Sequence, residues 1–134
     1  PSRSRLLKAL GTHLLLDLKR CDLDLLDSLS YIKQSLTKAA IEAGGSILGD
    51  SFHKFSPVGV TGIIAIAESH LCIHTWPEYE YAAADIFTCG QNFKPHKAAE
   101  LIIESLKCKE AEIKDFKRGT ISTLSSPFAE RSNN

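Results

Sequence analysis

The sequence predicts an α+β fold, a two-layer sandwich in which a largely antiparallel sheet carries two main helices on one face. Three observations predict it. The elements follow the order strand, helix, several strands, helix, strand. The links between the successive middle strands are short, and parallel neighbours would need crossovers of about a dozen residues or more. Only two segments carry apolar residues at helical spacing, too few to cover both faces of such a sheet. The face left bare invites a second subunit.

The first strand is residues 12–18, Thr-His-Leu-Leu-Leu-Asp-Leu. Cys21-Asp22-Leu23-Asp24 supplies acidic residues suited to a helix start. Leu25, Leu26, Leu29, Ile32, Leu36, Ala39, Ala40 and Ala43 then recur at helical spacing, predicting one helix over 23–43 that ends at Gly44-Gly45. Strand-like runs follow at 46–55, 59–67, 70–76 and 82–88, of which Gly62–Ala67 is uninterruptedly apolar, as in a central strand. Pro95 opens a second helix carrying Ala98, Leu101, Ile102 and Leu106. Residues 111–116 read as a last strand, and 119–134, rich in Ser, Thr and Asn, as a flexible tail. The folded unit is expected to span 1–118.

A chain of 134 residues is one domain at ~150 residues each. Its 43% apolar and 24% charged content is ordinary for a globular protein and excludes a disordered chain or a fibre. Lys+Arg and Asp+Glu balance at 16 each, so the basic excess of a nucleic-acid binder is missing, and so is the solubility that net charge gives. No apolar run is long enough to cross a membrane. The basic stretch Pro1–Arg5 is followed by Lys8, Gly11, His13 and Asp17, unlike a signal peptide. Cys21, Cys72, Cys89 and Cys108 lie far apart without a C-x-x-C pair, which points to free thiols in a reducing cytoplasm.

The densest polar cluster is Glu68-Ser69-His70, then His74, Thr75, Trp76 and Glu78, with Cys89 beyond the next strand. On a helix, His70 and His74 would share a face and could hold zinc. On the strand predicted here they stand about 13 Å apart, at ~3.3 Å per residue, and no metal site is expected. Ser69 lacks the flanking glycines of a nucleophile elbow, and Gly59-Val60-Thr61-Gly62 lacks the lysine and following helix of a phosphate loop. Taken singly, these residues have ordinary structural explanations: a histidine satisfied on a sheet, a cysteine filling space. Spacing alone stops at an α+β domain with enzyme-like features.

Three runs together carry more. They are Phe52-His53-Lys54-Phe55-Ser56-Pro57-Val58-Gly59-Val60-Thr61-Gly62, then Ala67-Glu68-Ser69-His70-Leu71-Cys72-Ile73-His74-Thr75-Trp76-Pro77-Glu78-Tyr79, then Tyr81-Ala82-Ala83-Ala84-Asp85-Ile86-Phe87-Thr88-Cys89-Gly90. The chain resembles the small prokaryotic pyruvoyl-dependent S-adenosylmethionine decarboxylases, densely across 52–90 and in element order over about 9–117.

The resemblance implies a proenzyme that cuts itself between Glu68 and Ser69 and converts Ser69 into a pyruvoyl group. That group would capture the substrate amine as a Schiff base and take up electrons as carbon dioxide leaves, with no metal and no pyridoxal phosphate. It implies that His74 assists self-cleavage, that Thr61 stands where many members carry a serine that helps processing, and that Cys89 is the proton donor after decarboxylation. Phe55 and Trp76 would contact the adenine or the sulfonium, and Glu78 the ribose hydroxyls. The family also implies a homodimer with substrate pockets at its interface, and a product used to make spermidine. Glu80 departs from the pattern, standing where many members have glycine or another small or neutral residue. A pyruvoyl-dependent arginine or ornithine decarboxylase would share Ser69, His74 and Cys89, and a non-catalytic binding homologue would share the fold. Pro77, Glu78 and Phe55 favour adenosylmethionine.

Overall fold

The computed structural model describes residues 7–122. Six strands, β1 (Leu7–Lys19), β2 (Ile47–Lys54), β3 (Val60–Ile66), β4 (Ser69–Trp76), β5 (Tyr81–Thr88) and β6 (Glu110–Ser122), form one sheet in the order β2-β3-β4-β5-β1-β6. Every neighbouring pair runs antiparallel. Helices α1 (Leu23–Leu26), α2 (Leu29–Glu42) and α3 (Pro95–Ser105) complete the fold, with α2 and α3 packed together over one sheet face. The predicted α+β sandwich is therefore the observed architecture.

Alternation along each strand explains which face the helices cover. Leu14, Leu16 and Leu18 of β1, Ile64 and Ile66 of β3, Leu71 and Ile73 of β4, and Ile86 of β5 point one way and are buried. They meet Ile32, Leu36, Ala39 and Ala40 of α2 and Ala98, Ala99 and Ile102 of α3, where alanines let the helix backbones come close. Each fully buried Leu or Ile contributes about 1.5–3 kcal/mol. Among the described residues the opposite face has no cover: Leu15, Ile63, Trp76 and Phe116 remain 40%, 41%, 40% and 47% exposed there.

Two expectations are corrected. The helix predicted over 23–43 is broken at Asp27-Ser28. Asp22 caps α1 by accepting from Leu25 N, and Ser28 restarts the helix by accepting from Tyr31 N. Asp27 is turned outward, where its Oδ1 accepts from Gly59 N at 2.8 Å and meets Lys54 Nζ at 3.0 Å, tying the junction to the β2–β3 loop. The apolar spacing runs through this break because both pieces bury the same side. The last strand, expected over 111–116, extends from Glu110 to Ser122 against the whole of β1. As an edge strand it buries little, so its polar sequence carries no apolar pattern while its backbone ladder continues. The boundary expected at 118 thus falls inside β6. The rest of the expected tail, 123–134, and the basic residues 1–6 lie outside the described residues.

Candidate active site

β3 and β4 are joined by only Ala67 and Glu68, because Ile66 pairs with Ser69. Glu68 closes this turn at φ +59°, a left-handed conformation natural to glycine and costly for a residue with a Cβ. Its carbonyl oxygen accepts from the backbone N–H of Cys89 at 3.0 Å and from the Cys89 thiol at 3.2 Å. The same sulfur lies 3.6 Å from Glu68 Oε1. Two donors converging on one carbonyl is the arrangement that stabilises an oxyanion. Ser69, the first residue of β4, is buried on the helix side, and its hydroxyl donates to Thr88 Oγ1 at 2.7 Å. Thr88 Oγ1 also accepts from Gly90 N at 3.1 Å. The structure thus brings together three of the predicted residues, Glu68, Ser69 and Cys89, and adds Thr88. Sequence reasoning missed Thr88 because its contact depends on the β4–β5 register, Ser69 opposite Thr88.

A second group stands at the far end of the sheet. Thr61 of β3 and His74 of β4 are cross-strand partners on the open face, with Thr61 Oγ1 and His74 Nδ1 3.0 Å apart. The His74 ring lies 6.5 Å from that of Trp76, which tilts against Tyr81 at 5.5 Å. The Tyr81 hydroxyl donates to Asp17, and this bond to a carboxylate pushes its pKa up to about 12. Phe55 follows β2 and is exposed, packing edge-on against His53 at 4.6 Å. Glu78 lies in the one-turn 3-10 helix Pro77–Tyr79 and lines a cavity of about 380 Å³ with Asp24, Val58, Tyr79 and Glu80. Glu80 has φ +54°, a left-handed conformation that favours glycine, so the glutamate noted above is held here against its backbone preference. Its carbonyl accepts from Cys21 N at 3.0 Å.

The two groups do not meet within one chain. Ser69 and His74 are five residues apart on one straight strand, about 16 Å at ~3.3 Å per residue. Their side chains also project from opposite faces, Ser69 buried toward the helices and His74 exposed on the open side. His70 and His74 do not converge either. His70 Nε2 meets Asp85 Oδ2 at 3.0 Å, while His74 is paired with Thr61. Beside Asp85, burial and then the carboxylate push the Cys72 thiol up to about 11.

Over residues 12–119 the chain matches the family model of S-adenosylmethionine decarboxylase. It belongs to the S-adenosylmethionine decarboxylase family. A protein named S-adenosylmethionine decarboxylase proenzyme from Thermodesulfovibrio yellowstonii is 52% identical over 114 residues, 85% of this chain and 84% of that one. A protein of the same name from Thermotoga maritima is 44% identical over 121 residues, 90% of this chain and 93% of that one. The crystal structure of the adenosylmethionine decarboxylase from Aquifex aeolicus matches with a TM-score of 0.79 at 34% identity, over 95% of this chain and 99% of that one. The resemblance carried by residues 52–90 and the fold it implied are both borne out. In this S-adenosylmethionine decarboxylase family member, no helix among the described residues is long and apolar enough to cross a membrane.

Proposed function

We propose that the chain is a cytoplasmic S-adenosylmethionine decarboxylase that cleaves itself between Glu68 and Ser69 and supplies decarboxylated S-adenosylmethionine for spermidine synthesis. The observation that carries this reading is the Glu68 carbonyl, held by two donors from Cys89 beside the Ser69 hydroxyl. The hydroxyl oxygen attacks that carbonyl, and the negative charge on the carbonyl oxygen is met by the Cys89 N–H and S–H. The C–N bond then breaks, the nitrogen of residue 69 takes up a proton, and an ester links Glu68 to Ser69 Oγ. Loss of the Ser69 α-proton expels the Glu68 carboxylate and leaves dehydroalanine, which water converts to the pyruvoyl group and ammonia. The products are chains of 68 and 66 residues.

The pyruvoyl carbonyl supplies the electron sink for decarboxylation, so the chemistry calls for neither a metal nor pyridoxal phosphate. The residues around position 69 fit that group. Cys89 is within reach of the junction, and its thiol is the donor that returns a proton to the substrate carbon. Phe55 and Trp76 offer aromatic faces to the adenine and the sulfonium, and Glu78 offers a carboxylate to the ribose hydroxyls.

His74 and Thr61 are too far from their own Ser69 to act on it. We therefore assign them to the Glu68–Ser69 peptide at the end of β4 in a second copy, in a homodimer whose bare sheet faces pack together. The exposed apolar residues of that face support this arrangement.

Intact mass tests the cleavage: the purified chain is expected as two pieces, and Ser69→Ala as one piece of 14.7 kDa. A wild-type chain that never splits refutes the reading. Carbon dioxide release is expected from S-adenosylmethionine, and faster release from arginine or ornithine refutes the substrate. Co-expressed Ser69→Ala and His74→Ala chains test the shared site. Mixed dimers should restore cleavage of the His74→Ala chain, whereas two independent sites would leave both uncut.

A further inference from the structure

On the open face, near the Ser69 end of the sheet, four side chains from four adjacent strands form one hydrogen-bonded chain. Arg118 of β6 donates from Nη1 to His13 Nδ1 of β1 at 3.0 Å. His13 Nε2 meets Asp85 Oδ2 of β5 at 2.8 Å, and His70 Nε2 of β4 meets the same oxygen at 3.0 Å. A guanidinium can only donate, so His13 Nδ1 is an acceptor and Nε2 carries the hydrogen that goes to Asp85. The Phe87 ring is shared between the two imidazoles, stacked on His70 at 5.9 Å and edge-on to His13 at 5.4 Å. Gly11 makes room for it, since a Cβ there would lie 2.6 Å from the ring.

The His13, His70 and Asp85 ligand atoms lie within 4.8 Å of one another, a spacing a metal could also use. A metal on His13 Nε2 would leave Nδ1 carrying a hydrogen that needs an acceptor, and Arg118 presents a donor instead. The hydrogen-bonded assignment has no such conflict.

We propose that Asp85, held in place by His13 and Arg118, is a positioning residue for the pyruvoyl end of the mature enzyme. The proposal rests on self-cleavage at Glu68–Ser69. Before cleavage, residue 69 is tied by its peptide bond to Glu68, by its hydroxyl to Thr88, and by the ladders to β3 and β5. Cleavage removes the first two ties, because the peptide bond breaks and the Ser69 oxygen departs with the Glu68 carboxylate. Position 69 becomes a chain end, and chain ends fray unless tied down. The nearest described side-chain tie on the new chain is one residue on, from His70 to Asp85. Asp85 is in turn braced by β1 and β6. The network therefore matters little while the chain is continuous and strongly once the reacting group sits on a free end.

The test is Asp85→Asn, which puts a neutral amide where two imidazole donors meet a carboxylate. Cleavage is followed by intact mass and carbon dioxide release by steady-state kinetics on the same fully cleaved preparation. Cleavage and KM should stay close to wild type while kcat falls on the order of 10–100-fold, the effect of misplacing a reacting group by about 1 Å. A merely structural role would lower cleavage and turnover together, and that result, or an unchanged kcat, overturns the proposal. Should Asp85→Asn fail to fold, the pair His13→Gln and His13→Ala decides. Glutamine keeps an N–H donor toward Asp85 and should retain more kcat than alanine, with equal cleavage in both. Equal kcat in the two overturns the proposal. A wild-type chain that does not cleave refutes the proposed function, whereas a cleaving wild type with unaltered Asp85→Asn turnover refutes this assignment alone.

Discussion

Replacing Glu68 by glycine should slow self-cleavage, although glycine suits the turn better. Glu68 holds φ +59° with only Ala67 beside it between the paired residues Ile66 and Ser69. A left-handed residue with a Cβ costs ~1–2 kcal/mol, and glycine is spared that cost. In the uncleaved chain this cost raises the starting state. Moving the acyl group from the nitrogen of residue 69 to its Oγ inserts Cβ and Oγ into the turn, which lengthens it and lets residue 68 leave the left-handed region. At 1.36 kcal/mol per tenfold in rate, release of ~1–2 kcal/mol is worth about 5–30-fold. Glu68→Ala is the control, because it removes the carboxylate and keeps the Cβ. The expected result is that the alanine variant cleaves about 5–30-fold faster than the glycine variant. The rate is read by intact mass as the fraction split against time after refolding. Equal rates, or a faster glycine variant, would refute the argument that backbone strain at residue 68 assists the reaction.

Thr88→Val removes the acceptor for both Ser69 Oγ and Gly90 N, so cleavage should slow and stability fall by about 1–3 kcal/mol, read by denaturant unfolding. Thr88→Ser keeps the oxygen and should stay close to wild type. Cys72, with a pKa pushed up to about 11, holds about one thiolate in 1,000 at pH 8, so its alkylation by iodoacetamide should run about 100-fold slower than that of an unperturbed thiol of pKa 9.0. Peptide mapping checks this, and labelling at the rate of a free peptide thiol would contradict the raised pKa. Asp27 is held below the ordinary carboxylate range by the Gly59 N–H and then by Lys54. A depressed folded pKa gives stability that is present above the unfolded value of 3.8 and lost as pH falls through the folded one. The Tm gap between wild type and Asp27→Asn should therefore narrow as the solution is acidified below pH 3.8, and a gap independent of pH would contradict the ion pair and the loop bond.

The amino-acid sequence by itself determined the order of elements and the α+β class, and it singled out Glu68-Ser69 and Cys89 as candidate site residues. Those depend on local signals: alternation along β3 to β5, Pro95 opening α3, and a motif whose residues lie close together in the chain. It also marked the bare sheet face, because two apolar helices can cover only one side. The break at Asp27-Ser28 was less legible, because a loop more than 25 residues away claims the Asp27 side chain, and apolar spacing does not register such a bond. The polar edge strand β6 was under-read for the opposite reason, since its pairing is made by backbone and its side chains bury little. Tertiary structure alone decided which of the predicted residues share a site. Strand direction separates His74 from Ser69 by the length of β4, and the β1–β5 and β4–β5 registers bring His13, Asp85 and His70 to one point. Register is a property of paired strands, set by how the whole sheet packs against its helices, and no single strand's sequence contains it.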